Sequence, residues 1–361
     1  MLLYFILFFL ILLFVCLELA TAHSRNSFFL LFFVLLFYLL SFIRWETGTD
    51  WENYFDVFDS IKIPFETLVD PVGGAEVGFM ILNNFSKLLM ESYTLCLFLQ
   101  GLILYAFLYI SLKTLSPYPL FSLFVFYSMN LGGIFFIRQT IAMAITLFSV
   151  SFIAKKKLVK FVLLVLLAST IHRTAILFLF AYFVFWRSYN IKSVLFYISV
   201  AAVAGGIIGV IIVSYLSSIG LGEISNRLIM YADSDYESTM KVSNASFLFR
   251  GLINRAFVVS IVLMFLWKYR QKDLVFNGIF NLYLFGIVIF VFVAPISREL
   301  IRLTGYFDMT QLLIYPYVLY KMPVKYKQPF FLLLTIFFFY RLYVAVNQFP
   351  DAYIPYKTIF T

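Results

Sequence analysis

Seven arginines stand out by position. Arg44, Arg138, Arg173, Arg250, Arg255, Arg298 and Arg302 each lie at or near the edge of a long apolar run. An arginine placed near hydrocarbon costs about 2.5–3.5 kcal/mol on insertion scales, so it is expected to face a cavity or a partner. A guanidinium offers a planar fork of donors that fits two phosphate oxygens at once, which suits a diphosphate headgroup. Arg298 and Arg302 stand four apart and would share one face of an α-helix, whereas Arg250 and Arg255 are one and a half turns apart and would not. The alternative for each is a side chain that reaches lipid headgroups or pairs with Glu76, Glu299 or Asp308.

Groups able to move a proton lie close in sequence. His172 sits beside Arg173 in the turn from Ser169 to Thr174. It could take a proton from a sugar hydroxyl, or simply cap a helix and orient its neighbours. Asp50, in Arg44-Trp45-Glu46-Thr47-Gly48-Thr49-Asp50, is expected to orient Arg44 or to act as a base, and Glu76 is a second carboxylate for sugar hydroxyls. Trp45, Trp51 and Tyr54 suit sugar stacking or a headgroup-level aromatic belt.

The elements that must hold these residues are membrane helices. Across 361 residues the chain is 63% hydrophobic and 12% charged, too little polar surface for a water-soluble domain. Apolar runs predict spans near 1–20, 28–43, 94–112, 117–128, 138–154, 158–169, 174–186, 193–216, 251–267, 274–293, 305–320 and 329–346. The fold class is therefore an all-α polytopic membrane protein of about twelve helices, in one membrane domain over 1–361. Loops alternate in charge: Arg25, Lys113, Lys155–Lys160, Arg187, Lys192, Lys268–Lys272 and Lys321–Lys327 gather on one side, which the positive-inside rule makes cytoplasmic. Both termini then face the periplasm, as do the segment 44–92 and the loop 217–250. Ala20-Thr21-Ala22 has the form of a signal-peptidase site, but no basic residue precedes the apolar run, so it reads as a retained first helix.

Several functions are excluded or disfavoured. The net charge of +9 is dispersed in short inter-span clusters, which fits topology and not nucleic acid. Cys16 and Cys96 lie inside apolar runs and form no metal or disulfide pattern. The motifs of dinucleotide, P-loop, zincin and α/β-hydrolase sites are missing, and no carboxylate cluster has the spacing of a divalent-metal site.

Taken in order, Arg44…Gly48-Thr49-Asp50…Tyr54, Glu76-Val77-Gly78-Phe79, Ile137-Arg138-Gln139…Ala142, Ile171-His172-Arg173-Thr174-Ala175, Arg302…Tyr306-Phe307 and Ile354-Pro355-Tyr356-Lys357 span nearly the whole chain. This ordered set resembles the EpsG family of exopolysaccharide biosynthesis proteins, which belongs with the Wzy-type polysaccharide polymerases. The resemblance implies a GT-C-like glycosyltransferase of the bacterial inner membrane, multi-pass, needing no cofactor and no metal. Its substrate would be an undecaprenyl-diphosphate-linked oligosaccharide in the lipid bilayer, and a chain-length regulator its protein partner. His172, Asp50 or Glu76 would supply the base. The seven arginines would bind the diphosphate, and Tyr306, Tyr356 and Gln139 would hydrogen-bond the substrate. Family members place Ser after the histidine, where this chain has Arg173. An O-antigen ligase-like transferase is the nearest rival. A flippase would put charge along a through-going path and often repeat one half in the other, and a membrane scaffold would leave the edge arginines unexplained.

Overall fold

A computed structural model describes residues 1–21, 27–62, 75–135, 137–219, 244–270, 272–296 and 299–360. Their regular structure is helical, apart from a single β-bridge between Arg44 and Thr358. The chain begins with α1 (Leu2–Ala20), α2 (Ser27–Phe42), α3 (Trp51–Asp59), α4 (Val77–Leu89), α5 (Tyr93–Leu115), α6 (Pro119–Met129), α7 (Leu131–Phe135), α8 (Ile137–Ala154) and α9 (Leu158–Ile171). A 3-10 helix (Arg173–Phe180) leads to α10 (Ala181–Phe185), α11 (Ile191–Ile219), α12 (Asn244–Phe265), α13 (Trp267–Arg270) and α14 (Leu274–Val293). A second 3-10 helix (Glu299–Thr304), α15 (Gly305–Asp308), α16 (Gln311–Lys321), α17 (Val324–Gln348) and α18 (Pro350–Tyr353) complete the order. Where the sequence suggested one membrane domain, the contacts form two compact units: Met1–Leu179 with Tyr315–Thr361, and Phe180–Ile314.

Among the described residues, six helices are long and apolar enough to cross a bilayer: α1, α5, α14, α17 and the stretches Ile191–Gly209 and Leu248–Phe265. Five shorter apolar stretches accompany them, among them Phe28–Phe42 and Arg138–Ala154. Exposed Phe9 and Leu13 on α1, Leu195 and Val203 on α11, and Leu332 and Ile336 on α17 would be untenable in water and mark lipid-facing surface. The chain is a multi-pass membrane protein.

Helix ends follow from the sequence. Pro119 opens α6, where its missing N–H is harmless. The next two N–H groups, of Leu120 and Phe121, donate to the buried Glu18 carboxylate of α1 at 3.0 and 2.9 Å. Asp273 caps α14 by accepting from Phe276 N–H at 3.0 Å.

Two expected spans need revision. The spans expected at 174–186 and 305–320 are broken, the first into a 3-10 helix and α10, the second into α15 and α16. Local side-chain bonds compete with the α-ladder at the second break, with Thr304 donating to Ile301 O and Thr310 to Phe307 O. The segment 44–92 contains α3 and α4; α3 is amphipathic, with Trp51 and Phe58 buried and Glu52, Asp56 and Asp59 exposed. In the region expected as the loop 217–250, α11 runs to Ile219 and α12 starts at Asn244; the intervening 220–243 lies outside the described residues.

Candidate functional site

The first unit brings its chemistry together with a hairpin. α8 and α9 pack along each other and are joined through Lys155-Lys156-Lys157, with Lys156 at φ 54°. Arg138 begins α8 and His172 follows α9, so antiparallel packing sets both at the end opposite the lysines. α4 is drawn against the same end by Gly78. A Cβ there would stand 2.4 Å from Thr170 Oγ1 and 2.8 Å from Thr170 O, so only glycine permits the approach. That contact delivers Glu76, the residue just before α4, to the turn after α9.

Glu76 then binds on both sides. Its Oε1 accepts from Arg173 N–H at 3.0 Å and lies 3.7 Å from Arg173 Nε, while Oε2 is 3.1 Å from Arg138 Nη1. The Glu76 side chain is 9% exposed, against 26% for Arg138 and 71% for Arg173, so the carboxylate is sheltered and the cations open outward. Arg138 also lies over the rings of Tyr54 and Phe79, 5.7 and 5.6 Å from their centroids. Two guanidiniums thus share one carboxylate.

His172, half-buried beside this group, caps α9 with its N–H on Ala168 O at 3.0 Å. Its ring Nδ1 is 2.7 Å from Thr174 Oγ1. If Nδ1 carries the proton and donates it to Thr174, Nε2 holds the lone pair and can act as a base. Gln139 is half-buried next to Arg138 in sequence.

Arg44 behaves differently. It is 0% exposed, and its Nε and Nη1 donate to the carbonyls of Ser41 and Thr47 at 3.0 and 2.6 Å. Asp50, expected to orient it, does not do so; backbone carbonyls take that place, and Asp50 stands at the start of α3. Complete burial lowers the Arg44 pKa, and no carboxylate is within ion-pair reach among the described residues. Gly48, at φ +110°, makes room: a Cβ would come 2.7 Å from Arg44 Nη1. The segment after α18 roofs this cradle. Trp45 N–H donates to Lys357 O, Ile359 N–H to Ile43 O, and Lys357 N–H to Thr47 Oγ1, at 3.0, 2.9 and 3.1 Å. Tyr356 is engaged here too, its hydroxyl donating to Leu40 O at 2.6 Å.

In the second unit Arg255 is buried on α12. Its Nη2 donates to Thr304 Oγ1 at 2.9 Å and pairs with Asp308 Oδ2, and its guanidinium lies 3.8 Å from the Phe290 ring centroid. Arg250 and Arg302 are exposed, and Tyr306 is fully buried. Arg302 sits in a 3-10 helix, whose three-residue turn does not align positions four apart; Arg298 lies outside the described residues. Pairing with Glu76 and Asp308, raised above as the alternative, is thus what Arg138, Arg173 and Arg255 do.

The EpsG family model matches residues 26–358, nearly the whole chain. The chain belongs to the EpsG family. EpsG-like proteins are Wzy-type polysaccharide polymerases, and the matched region contains both the Glu76 group and the Arg44 cradle. Comparison with curated proteins and with solved structures returned no match. In this EpsG protein, sequence reasoning missed Thr174 as the neighbour of the histidine ring and Gly78 as the contact that brings Glu76 in. The first had a readable signal, a hydroxyl two residues from the histidine. The second had none, because the contact joins two helices distant in sequence.

Proposed function

We propose that this EpsG protein polymerises undecaprenyl-diphosphate-linked oligosaccharide repeats at the periplasmic face of the bacterial inner membrane. The reading includes twelve spans in a GT-C-like arrangement, with both termini outside. One observation supports it: the sheltered Glu76 carboxylate joins Arg138 and Arg173, both more exposed than it is, next to His172 in the chain.

In the proposed step the acceptor sugar's hydroxyl oxygen attacks the anomeric carbon of the donor. The bond from that carbon to the diphosphate oxygen breaks, and the diphosphate leaves with the electron pair. The hydroxyl proton passes to His172 Nε2, with Thr174 holding the opposite ring nitrogen. Arg138 and Arg173 offset the charge that develops on the leaving group. Glu76 keeps them in place; both of its oxygens are already engaged by the arginines, which favours His172 over Glu76 and leaves Asp50 as the fallback. Gln139 is assigned to a sugar hydroxyl. Arg44 and Tyr356, closed in by backbone carbonyls, are reassigned to the scaffold. In the second unit Arg250, Arg255, Arg298 and Arg302, with Tyr306, keep their assignment to anionic groups of the lipid-linked substrates. There Arg255 would exchange Asp308 for phosphate.

The test is polymerisation by the purified protein of a synthetic lipid-diphosphate repeat, read as a glycan ladder. A ladder from the parent chain and single repeats from His172→Ala are expected. A full ladder from His172→Ala removes the histidine as base, and transfer of finished chains without ladder growth indicates a ligase.

A further inference from the structure

The second unit contains a cavity of about 300 Å³ unrelated to the Glu76 group. Phe185, Trp186 and Tyr189 supply aromatic walls, and Ser188, Asn190 and Asn277 supply polar groups. It opens where two spans begin, Ile191–Gly209 and Leu274–Val293, which is the depth of lipid headgroups.

The cavity is built in advance. Asn281 Nδ2 donates to Phe185 O and Arg187 O at 3.2 and 2.6 Å, and Asn277 Nδ2 to Arg187 O at 3.1 Å. These bonds satisfy the carbonyls at the end of α10 and fix the path of the loop that follows. Gly278 lets the Phe185 ring close down on α14, since a Cβ would lie 2.3 Å from it. A rigid recess at the bilayer edge results.

Its lining is uncharged, but basic residues adjoin it in the chain. Arg187, Lys192 and Lys272 are exposed around it in sequence. The Tyr189 hydroxyl pKa is raised, chiefly by burial and then by the nearby Tyr197 hydroxyl, while the Arg187 charge lowers it, so the guanidinium is close enough to act on the cavity wall. The nearby acid, Asp273, is engaged by Phe276 N–H and the Tyr269 hydroxyl. Amides, a serine hydroxyl and aromatic faces beside cations suit a phosphodiester that carries hydroxyls.

We propose that this cavity binds the headgroup of an anionic, hydroxyl-bearing phospholipid such as phosphatidylglycerol. Arg187 and Lys192 take the phosphate, the Ser188, Asn190 and Asn277 group takes the glycerol hydroxyls, and Trp186 packs on the glyceryl backbone. The site stands apart from the polymerase reading and does not depend on it.

Trp186 makes the test direct. The full chain is placed in phosphatidylcholine nanodiscs containing acyl-brominated phosphatidylglycerol or, separately, acyl-brominated phosphatidylcholine at equal mole fraction, and tryptophan quenching is compared. Stronger quenching by the anionic lipid is expected, with the excess lost in Trp186→Phe. Arg187→Gln and Lys192→Gln should each raise the lipid fraction needed by about fivefold, the weight of one cation near a charged membrane surface. Their thermal midpoints in pure phosphatidylcholine report that the variants remain folded. Equal quenching by the two lipids, or an excess that survives Trp186→Phe, would overturn the proposal. Abolition of the excess by free glycerol 3-phosphate at millimolar concentration would also overturn it, by assigning the cavity to a soluble phosphate.

Discussion

Arg44 and Arg138 both stand at the edge of an apolar helix in the same unit, yet their surroundings have little in common. Arg44 is wholly enclosed and donates to two backbone carbonyls, so it works as a cross-link between the end of α2 and the turn after it. Arg138 is a quarter exposed and shares Glu76 with Arg173, so it is ion-paired yet still reached by solvent. Residue type and sequence position do not separate the two roles. The acceptor does: neutral carbonyls inside a closed cradle, or one carboxylate divided between two cations.

Substitutions can break this contrast. Arg138→Ala should cut ladder formation by about 10²–10³-fold, the range seen when one preorganised charge-stabilising donor is removed. Its thermal midpoint should stay near that of the parent chain, and a large fall in midpoint instead would move Arg138 into the same class as Arg44. Gly78→Ala comes next. It drives a methyl group into Thr170 and displaces Glu76, and a misplacement of about 1 Å is worth roughly 10²-fold in turnover. Full activity in that variant would show that the Glu76 position is unimportant. Arg173→Ala should lose about tenfold, less than Arg138→Ala, because an exposed cation is screened by solvent. The side chain is 71% exposed, and the backbone N–H that also holds Glu76 is retained. Salt titration sharpens this comparison, since the Arg173 contribution should fade first. Gly48→Ala should have the smallest effect on activity per folded molecule. Forcing a side chain into φ +110° costs about 1–3 kcal/mol of stability, read as a lowered thermal midpoint.

The spans read most reliably from sequence are long, mainly apolar runs. The expected 94–112 and 274–293 correspond to α5 and α14, whose few polar side chains leave the helices continuous. The short expected spans 117–128 and 158–169 are present as α6 and α9, whereas 174–186 and 305–320 are broken, the latter where Thr310 donates to Phe307 O. The site divides in the same way. Glu76, Arg138, His172 and Arg173 were all singled out by type, but their meeting depends on the α8–α9 hairpin and on one glycine contact. Asp50 was matched to Arg44 because carboxylates are visible in a sequence and carbonyl oxygens are not. Every residue has a carbonyl, so the acceptors that hold Arg44 carry no signature.

The roof over Arg44 bears on how the protein is made. Thr47 and Lys357, which bond to each other, are 310 positions apart. The early helices therefore leave the ribosome and enter the bilayer long before the strand-like segment at Thr358 exists to cover them. Throughout that interval the Arg44 cation lacks its lid. The cradle is completed only when late residues return to one of the earliest turns.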